Sequence, residues 1–501
     1  MTIRLLLLSL LAVLVTESAD AVTLYVNNSG SPACSDSNTY AQAQSASTPW
    51  CSIARASRGS TTYASPNSAI AAQAGDTVLI TAGVYTIADG YGVADAESIT
   101  NPALAPINNG TAGNYITFRG VGLVYVRMGA STIIGPMIGC KNNSYIIWDN
   151  FQIDDYYGGG RIDSASVSLA VSDHCQLINS TIQGHTGSYF WGQATYTDNY
   201  AAVWLQNCNN LLVKNNTISR MHDNGTGVGG QSTTGITTYD VDDSIIEHNE
   251  IFDTGQAIII KGIHGAGQQA NNLIRYNYVH DNDWGGIRVW LSQNTIVHNN
   301  VIVNSTIGLY DTSVIAGGKN NLTPRFINNT LYNNTWGQYH AGIEGTDQQY
   351  WNNIVAGGTY AIYASLAAPT DQAITLNRNF YHGYASSFAF YESRTPSAFN
   401  FATWQGYGAG FDANSTNGTS PSFVNAGGSL ATDYKLSGGS AALTVGRVTS
   451  YLAVAGYSTG DTIPAGAYIT GNEQIGLEST TSGPSVQILG GVRWTGGVTW
   501  R

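Results

Sequence analysis

From about residue 210 onward, apolar and polar positions alternate in short runs, as in Leu211-Leu-Val-Lys-Asn215 and Ser244-Ile-Ile-Glu-His-Asn249. Such alternation predicts half-buried β-strands, and no sustained helical period competes with it. The runs also repeat. Asn, one residue and an aliphatic residue, followed by polar residues, Gly and another aliphatic strand, recur as Asn216-Thr-Ile, Asn249-Glu-Ile, Asn277-Tyr-Val, Asn299-Asn-Val, Asn329-Thr-Leu and Asn352-Asn-Ile. The steps are 33, 28, 22, 30 and 23 residues. Irregular steps around one coil length predict a solenoid with loops inserted at its turns. Propeller blades are longer and more regular. The expected fold is all-β, a parallel β-helix in which the Asn of each coil sits above its neighbour and side-chain amides hydrogen-bond along the stack.

This pattern divides the chain into four stretches. Residues 1–21 read as a secretory signal, with one cation (Arg4), an apolar core from Leu5 to Val15 and the small-residue exit Ala19-Asp20-Ala21. That apolar run is too short to span a bilayer comfortably, and no later run is long enough, so no membrane span is expected. Residues 22–100 are expected to form an N-terminal cap and the first coils, 101–440 the β-helix, and 441–501 a C-terminal segment that caps the last coil or mediates self-association. A secreted protein, extracellular or periplasmic, is expected.

The net charge is −12 with only 20 Lys and Arg. Phosphate recognition needs clustered cations, so nucleic acid is excluded as a partner, and an acidic substrate must be met by a local cationic spot. Charged residues make up 10% of the chain while Tyr numbers 30 and Gly 58, so the surface is carried by neutral hydrogen-bonding groups and aromatic rings. Such a surface suits sugars, and it suits any long β-structure equally. In an oxidising compartment Cys34 and Cys51 are expected to form a disulfide. Cys140, Cys175 and Cys208 lie at the edges of apolar strands and read as stacked buried thiols; none has zinc-site spacing.

Leu24-Tyr-Val-Asn27, Thr48-Pro-Trp-Cys-Ser-Ile53 and Gly75-Asp-Thr-Val-Leu-Ile-Thr-Ala-Gly-Val-Tyr85 resemble the opening coils of the pectate-lyase-like superfamily of right-handed parallel β-helix proteins. Trp404, Asp412, Ser415, Pro421, Phe423 and Asp433-Tyr-Lys-Leu436 resemble its closing segment. The resemblance spans most of the chain after the signal. It implies a right-handed β-helix and a carbohydrate-active protein, while leaving the reaction open.

Alternation aligns the strand that follows each Gly. Ile258 and Ile260 match Ile287 and Val289 and point inward; Ile259 and Lys261 point outward, level with Arg288 and Trp290. Extending the alignment gives an outer ribbon of Trp204, Thr237, Tyr239, Ile259, Lys261, Arg288, Trp290, Tyr310, Thr312, Tyr339 and Tyr363. Trp204, Tyr239, Trp290, Tyr310 and Tyr339 are candidate sugar-binding residues. Lys261 and Arg288, on adjacent coils with Cα atoms about 8 Å apart, are candidate catalytic residues. β-Elimination from a uronate needs a base for the proton α to the carboxylate and cations to stabilise the enolate-like charge. Lys261 is expected as the base and Arg288 as the carboxylate partner. The pair is similar to the Lys and Arg of the alginate lyase and chondroitinase B family. That family has His-Gly after the Arg, and this chain has Val289-Trp290.

His264 and His280 lie near the same coils and are further acid–base candidates. Asp253 and Asp281 align one coil apart, with Asp283 close by. Stacked carboxylates of this kind bind Ca²⁺, act as an acid–base pair in a glycosidase, or serve turn geometry. The leading expectation is a polysaccharide lyase acting on a uronate glycan. A glycoside hydrolase using these Asp residues, or a non-catalytic adhesin, carbohydrate-binding or assembly protein, stand as alternatives.

Overall fold

Strands of two to thirteen residues stack in parallel, coil upon coil, into a right-handed β-helix. The computed structural model describes residues 21–87, 102–128, 136–153, 164–184, 200–221, 233–261, 269–290, 292–312, 324–341, 348–364, 374–386, 389–392, 398–407, 411–452 and 454–478. All but the last residue of the expected signal, and His264, lie outside the described residues.

Ten parallel strands among the described residues form one face, running from Ile138–Lys141 through Gln256–Lys261, Gly285–Trp290 and Ile307–Thr312 to Phe390–Glu392. A second, bent sheet carries two further strands of each coil, such as Leu273–Arg275 and Tyr278–His280. The period-2 alternation places every other residue inside. Ile236, Ile258, Ile287 and Leu309 are in register and fully buried, so each coil stacks its aliphatic side chain on the next. Burying each of these contributes roughly 1.5–3 kcal/mol.

The bend between the two strands of the second sheet explains the Asn signal. Asn215, His248, Tyr276, Asn299, Asn328 and Asn352 all have φ between 53° and 58°, a left-handed conformation that Asn tolerates better than most residues. The residue after each turns inward where an Asn stands there. Asn216, Asn249, Asn277, Asn300, Asn329, Asn353 and Asn379 form a buried ladder with Nδ2-to-Oδ1 distances of 3.0–3.2 Å. Two rungs differ from the sequence expectation. At Asn299-Asn300 and Asn352-Asn353 the second Asn is the rung, because the inward aliphatic residues are Ile302 and Val355. The ladder ends on buried Asp412, which accepts from Asn379 Nδ2, Tyr381 Oη, Trp404 Nε1 and Ser415 Oγ. Burial raises the Asp412 pKa and these donors partly offset it.

At the other end, the helix Ile53–Arg58 is capped by Ser52 and lies beside the opening strands. Cys34 and Cys51 are disulfide-bonded, as expected. Cys140 and Cys175 are also bonded to each other, correcting the expectation of three stacked thiols. Only Cys208 is free, and it is buried. Cys140 lies on the ten-stranded face and Cys175 just before Gln176–Ile178 of the second sheet, so this bond crosses the interior, while Cys208 is level with Val241.

The segment expected to cap the last coil or mediate association runs back along the helix as far as it is described. Gly466 N donates to Asn352 O (2.7 Å), Asn299 Nδ2 to Ala467 O (2.6 Å), Gly476 N to Tyr276 O (2.8 Å) and Glu478 N to Asn215 Oδ1 (2.6 Å). Glu478 also pairs with Lys214 (3.1 Å) and His248 (3.3 Å). This strap crosses six successive coils over their left-handed turn residues. At Gly466 (φ 89°) a Cβ would lie 2.6 Å from Ile354 Cδ1 and 2.8 Å from Thr330 Oγ1, so glycine allows the close approach.

Candidate functional site

The outer surface of the ten-stranded face carries the expected ribbon in the expected register. One column reads Trp204, Thr237, Ile259, Arg288, Tyr310, Tyr339, Tyr363 and Tyr391. Its neighbour reads Gln206, Tyr239, Lys261, Trp290 and Thr312.

Arg288 and Lys261 meet around one indole. Arg288 Cζ lies 4.7 Å from the Trp290 ring centroid, and Lys261 Nζ lies 4.4 Å from it. Arg288 further faces Tyr310 at 4.5 Å and Trp284 at 5.7 Å, and its Nε donates to Thr312 Oγ1 at 3.2 Å. Among the described residues, no carboxylate pairs with Arg288. Its guanidinium is therefore fixed by π faces and one hydroxyl, with the remaining N–H donors available to a ligand. Partial burial lowers the Arg288 pKa, and the nearby Tyr310 and Tyr239 pull it back up.

Lys261 Nζ also lies 4.7 Å from the Tyr239 ring centroid and donates to Tyr239 Oη at 3.0 Å. Two π faces attract an ammonium and have no such attraction for an amine. The expected role of Lys261 as base is poorly matched to this setting.

Beyond Arg288 the aromatic column becomes a ladder. Tyr339 stacks on Tyr363 (4.3 Å, 9°) and Tyr363 on Tyr391 (5.1 Å, 15°), while Trp336 stacks on Tyr360 (4.0 Å, 15°). Burial and the neighbouring tyrosines raise the Tyr339 pKa, so this hydroxyl stays protonated. Trp284 was missed in the sequence because it precedes the strand Gly285–Trp290, outside the alternation that marks outward positions.

Other candidates are placed elsewhere. Trp204 points outward as expected but is only 5% exposed, covered by Tyr239, Ala165 and Ala201, so it supports Tyr239 and cannot itself meet a sugar. His280 lies on the other sheet, in Tyr278–His280, stacked on Phe252 at 4.9 Å with Nδ1 2.8 Å from Asp281 Oδ2. Burial lowers its pKa, but Glu250 and Asp281 more than compensate and raise it. The structure thus separates His280 from Lys261 and Arg288. Asp253 (φ 56°) and Asp281 (φ 53°) are left-handed turn residues at the start of the face strands, the end opposite Lys261. Asp281 Oδ1 accepts from Asn304 Nδ2 (2.9 Å), which continues a turn ladder to Asn333. The Asp281 carboxylate is thus engaged by His280 and Asn304. Among the described residues, no three His, Cys, Asp or Glu are grouped to hold a metal.

Residues 137–325 match the family described as right handed beta helix region. No curated protein matches the sequence. Among solved structures, the pectate lyase Pel9A is similar with a TM-score of 0.50 and 14% identity, over 90% of this chain and 96% of that chain. A PL6 family polysaccharide lyase from Pseudopedobacter saltans is similar at 13% identity and a TM-score of 0.38, over 69% of this chain and 88% of that one. At such identities the likeness to the pectate lyase speaks for the fold alone. With its register, its Asn ladder and this match together, the chain is a right-handed parallel β-helix protein.

Proposed function

We propose that the protein is a secreted polysaccharide lyase that cleaves a uronate-containing glycan by β-elimination on the ten-stranded face. The observation that carries this reading is Arg288: a half-buried guanidinium clasped by three aromatic rings, with no carboxylate partner among the described residues. A planar fork with free donors is suited to a planar carboxylate. The tyrosines stacked beyond it offer apolar faces to further sugar rings. Two disulfides support export to an oxidising compartment.

The test mixes the purified protein with alginate, pectin and glycosaminoglycans and follows the ultraviolet absorbance of the unsaturated uronate that elimination creates. The expected result is a rise on one of these substrates, lost in Arg288→Ala. A flat trace on the whole panel, or full activity in Arg288→Ala, refutes the reading. Products lacking the unsaturated bond, found by a reducing-sugar assay, point to hydrolysis instead.

A further inference from the structure

We propose that Tyr239, not Lys261, is the residue that exchanges the proton in this elimination, and that Lys261 acts through it. The inference rests on the lyase reading above.

Tyr239 is held on three sides. Its ring stacks on Trp204 at 4.7 Å and 28°, and the Trp204 indole is itself fixed by Nε1 donating to Gln206 Oε1 at 2.9 Å. Its hydroxyl accepts from Lys261 Nζ at 3.0 Å, and Arg288 is close enough for its charge to couple to Tyr239. The hydroxyl therefore stands in the field of two cations, one in hydrogen-bond contact. A cation donating to a phenol oxygen favours the anionic form of that oxygen. The same contact, with π faces on both sides of Nζ, keeps the Lys261 proton on nitrogen. A base must lose its proton before it can act, and here the tyrosine is the group whose surroundings favour that loss. Tyr339, the next candidate along the face, is pushed the other way by burial and neighbouring tyrosines.

With the uronate carboxylate on Arg288, the Tyr239 phenolate takes the proton on the carbon α to the carboxylate. The C–H electron pair forms the new carbon–carbon double bond, and the bond from the β carbon to the glycosidic oxygen breaks. The departing oxygen takes a proton from the Tyr239 hydroxyl, which restores the phenolate. Atoms and charge balance without metal or co-reactant, and Lys261 and Arg288 carry the transient negative charge.

Two variants separate the roles, assayed on the glycan that the parent cleaves. Tyr239→Phe is expected to lower kcat by about 10²–10⁴-fold with KM nearly unchanged, and to abolish the alkaline-rising limb of the pH profile. Lys261→Arg keeps the cation but cannot serve as a base, and is expected to retain substantially more activity than Tyr239→Phe. Tyr239→Phe within about threefold of the parent, or a dead Lys261→Arg beside an active Tyr239→Phe, overturns the assignment while leaving the lyase reading intact. A parent with no eliminase activity removes both.

Discussion

Replacing Asn277 by Ala removes one rung from the interior ladder, and the cost can be worked out bond by bond. Asn277 is fully buried. Its Oδ1 accepts from Asn249 N and Asn249 Nδ2, both at 3.0 Å, and its Nδ2 donates to Ile246 O and Asn300 Oδ1, both at 3.0 Å. After truncation, Asn249 Nδ2 still has Val213 O and Asn300 Oδ1 still has the backbone N–H of residue 277. The Asn249 backbone N–H loses its partner, and Ile246 O loses one donor. Each buried polar group left unpaired costs about 1–3 kcal/mol, so the variant is expected to lose about 2–4 kcal/mol. Asn304→Ala is the control: its Nδ2 bonds Asp281 Oδ1 at 2.9 Å and its Oδ1 accepts from Asn333 Nδ2 at 2.8 Å, but it is exposed and water can replace both contacts, so what remains is the strain of alanine at φ 54°, a loss of about 1 kcal/mol. Urea unfolding of both variants, followed by tryptophan fluorescence, gives the comparison. Equal midpoints for Asn277→Ala and the parent, or an Asn304→Ala as costly as Asn277→Ala, would refute the reasoning.

Further outcomes follow from other buried groups. Burial holds His298 at a pKa of about 4, below its ordinary 6.5; the folded state resists protonation, so this stabilisation is complete above about pH 6.5 and up to roughly 3 kcal/mol is lost as pH falls towards 4. Urea midpoints across that range should decline less steeply in His298→Gln, and identical slopes would contradict the assignment. The Cys208 thiol is buried and its pKa is pushed up to about 12, so a thiol reagent should find no reactive thiol in the native protein and one after unfolding without reductant; three would mean that Cys140 and Cys175 are unbonded. Gln338 and Gln348 are at most 1% exposed, and neither amide has a hydrogen-bond partner among the described residues. Gln338→Leu and Gln348→Leu should therefore leave stability unchanged or raise it, as read from melting temperature, and a loss above about 2 kcal/mol in either would show that the amide is satisfied.

The register of the ten-stranded face was legible because it depends only on alternation and on one marker per coil. Ile258, Lys261, Arg288 and Tyr339 fall where period 2 puts them. Where two Asn are adjacent, as at Asn299-Asn300 and Asn352-Asn353, the motif fits the first while the second turns inward. His280 shows a different limit: sequence proximity to Arg288 says nothing about which side of the coil a residue occupies, and one turn separates the two sheets. The environment of Lys261 was illegible for a similar reason, since its contacts with Tyr239 and Trp290 come from the coils on either side. The strap was invisible because its residues follow no period; their placement comes from hydrogen bonds and ion pairs to the turn residues of the coils.

That strap changes what kind of object the solenoid is. A stack of coils that touch only their neighbours behaves as a one-dimensional chain of units, free to fray from either end or to gain and lose a repeat. A segment that starts near Asn352 and is pinned at Lys214 and His248 ties together coils that never touch. Fraying of any coil between those points must strain a tether attached on both sides of it. The strap also acts as a ruler. Deleting or duplicating a coil under it alters the span by about 4.8 Å, so the number of coils between residues 214 and 352 cannot drift unless the strap changes length with it.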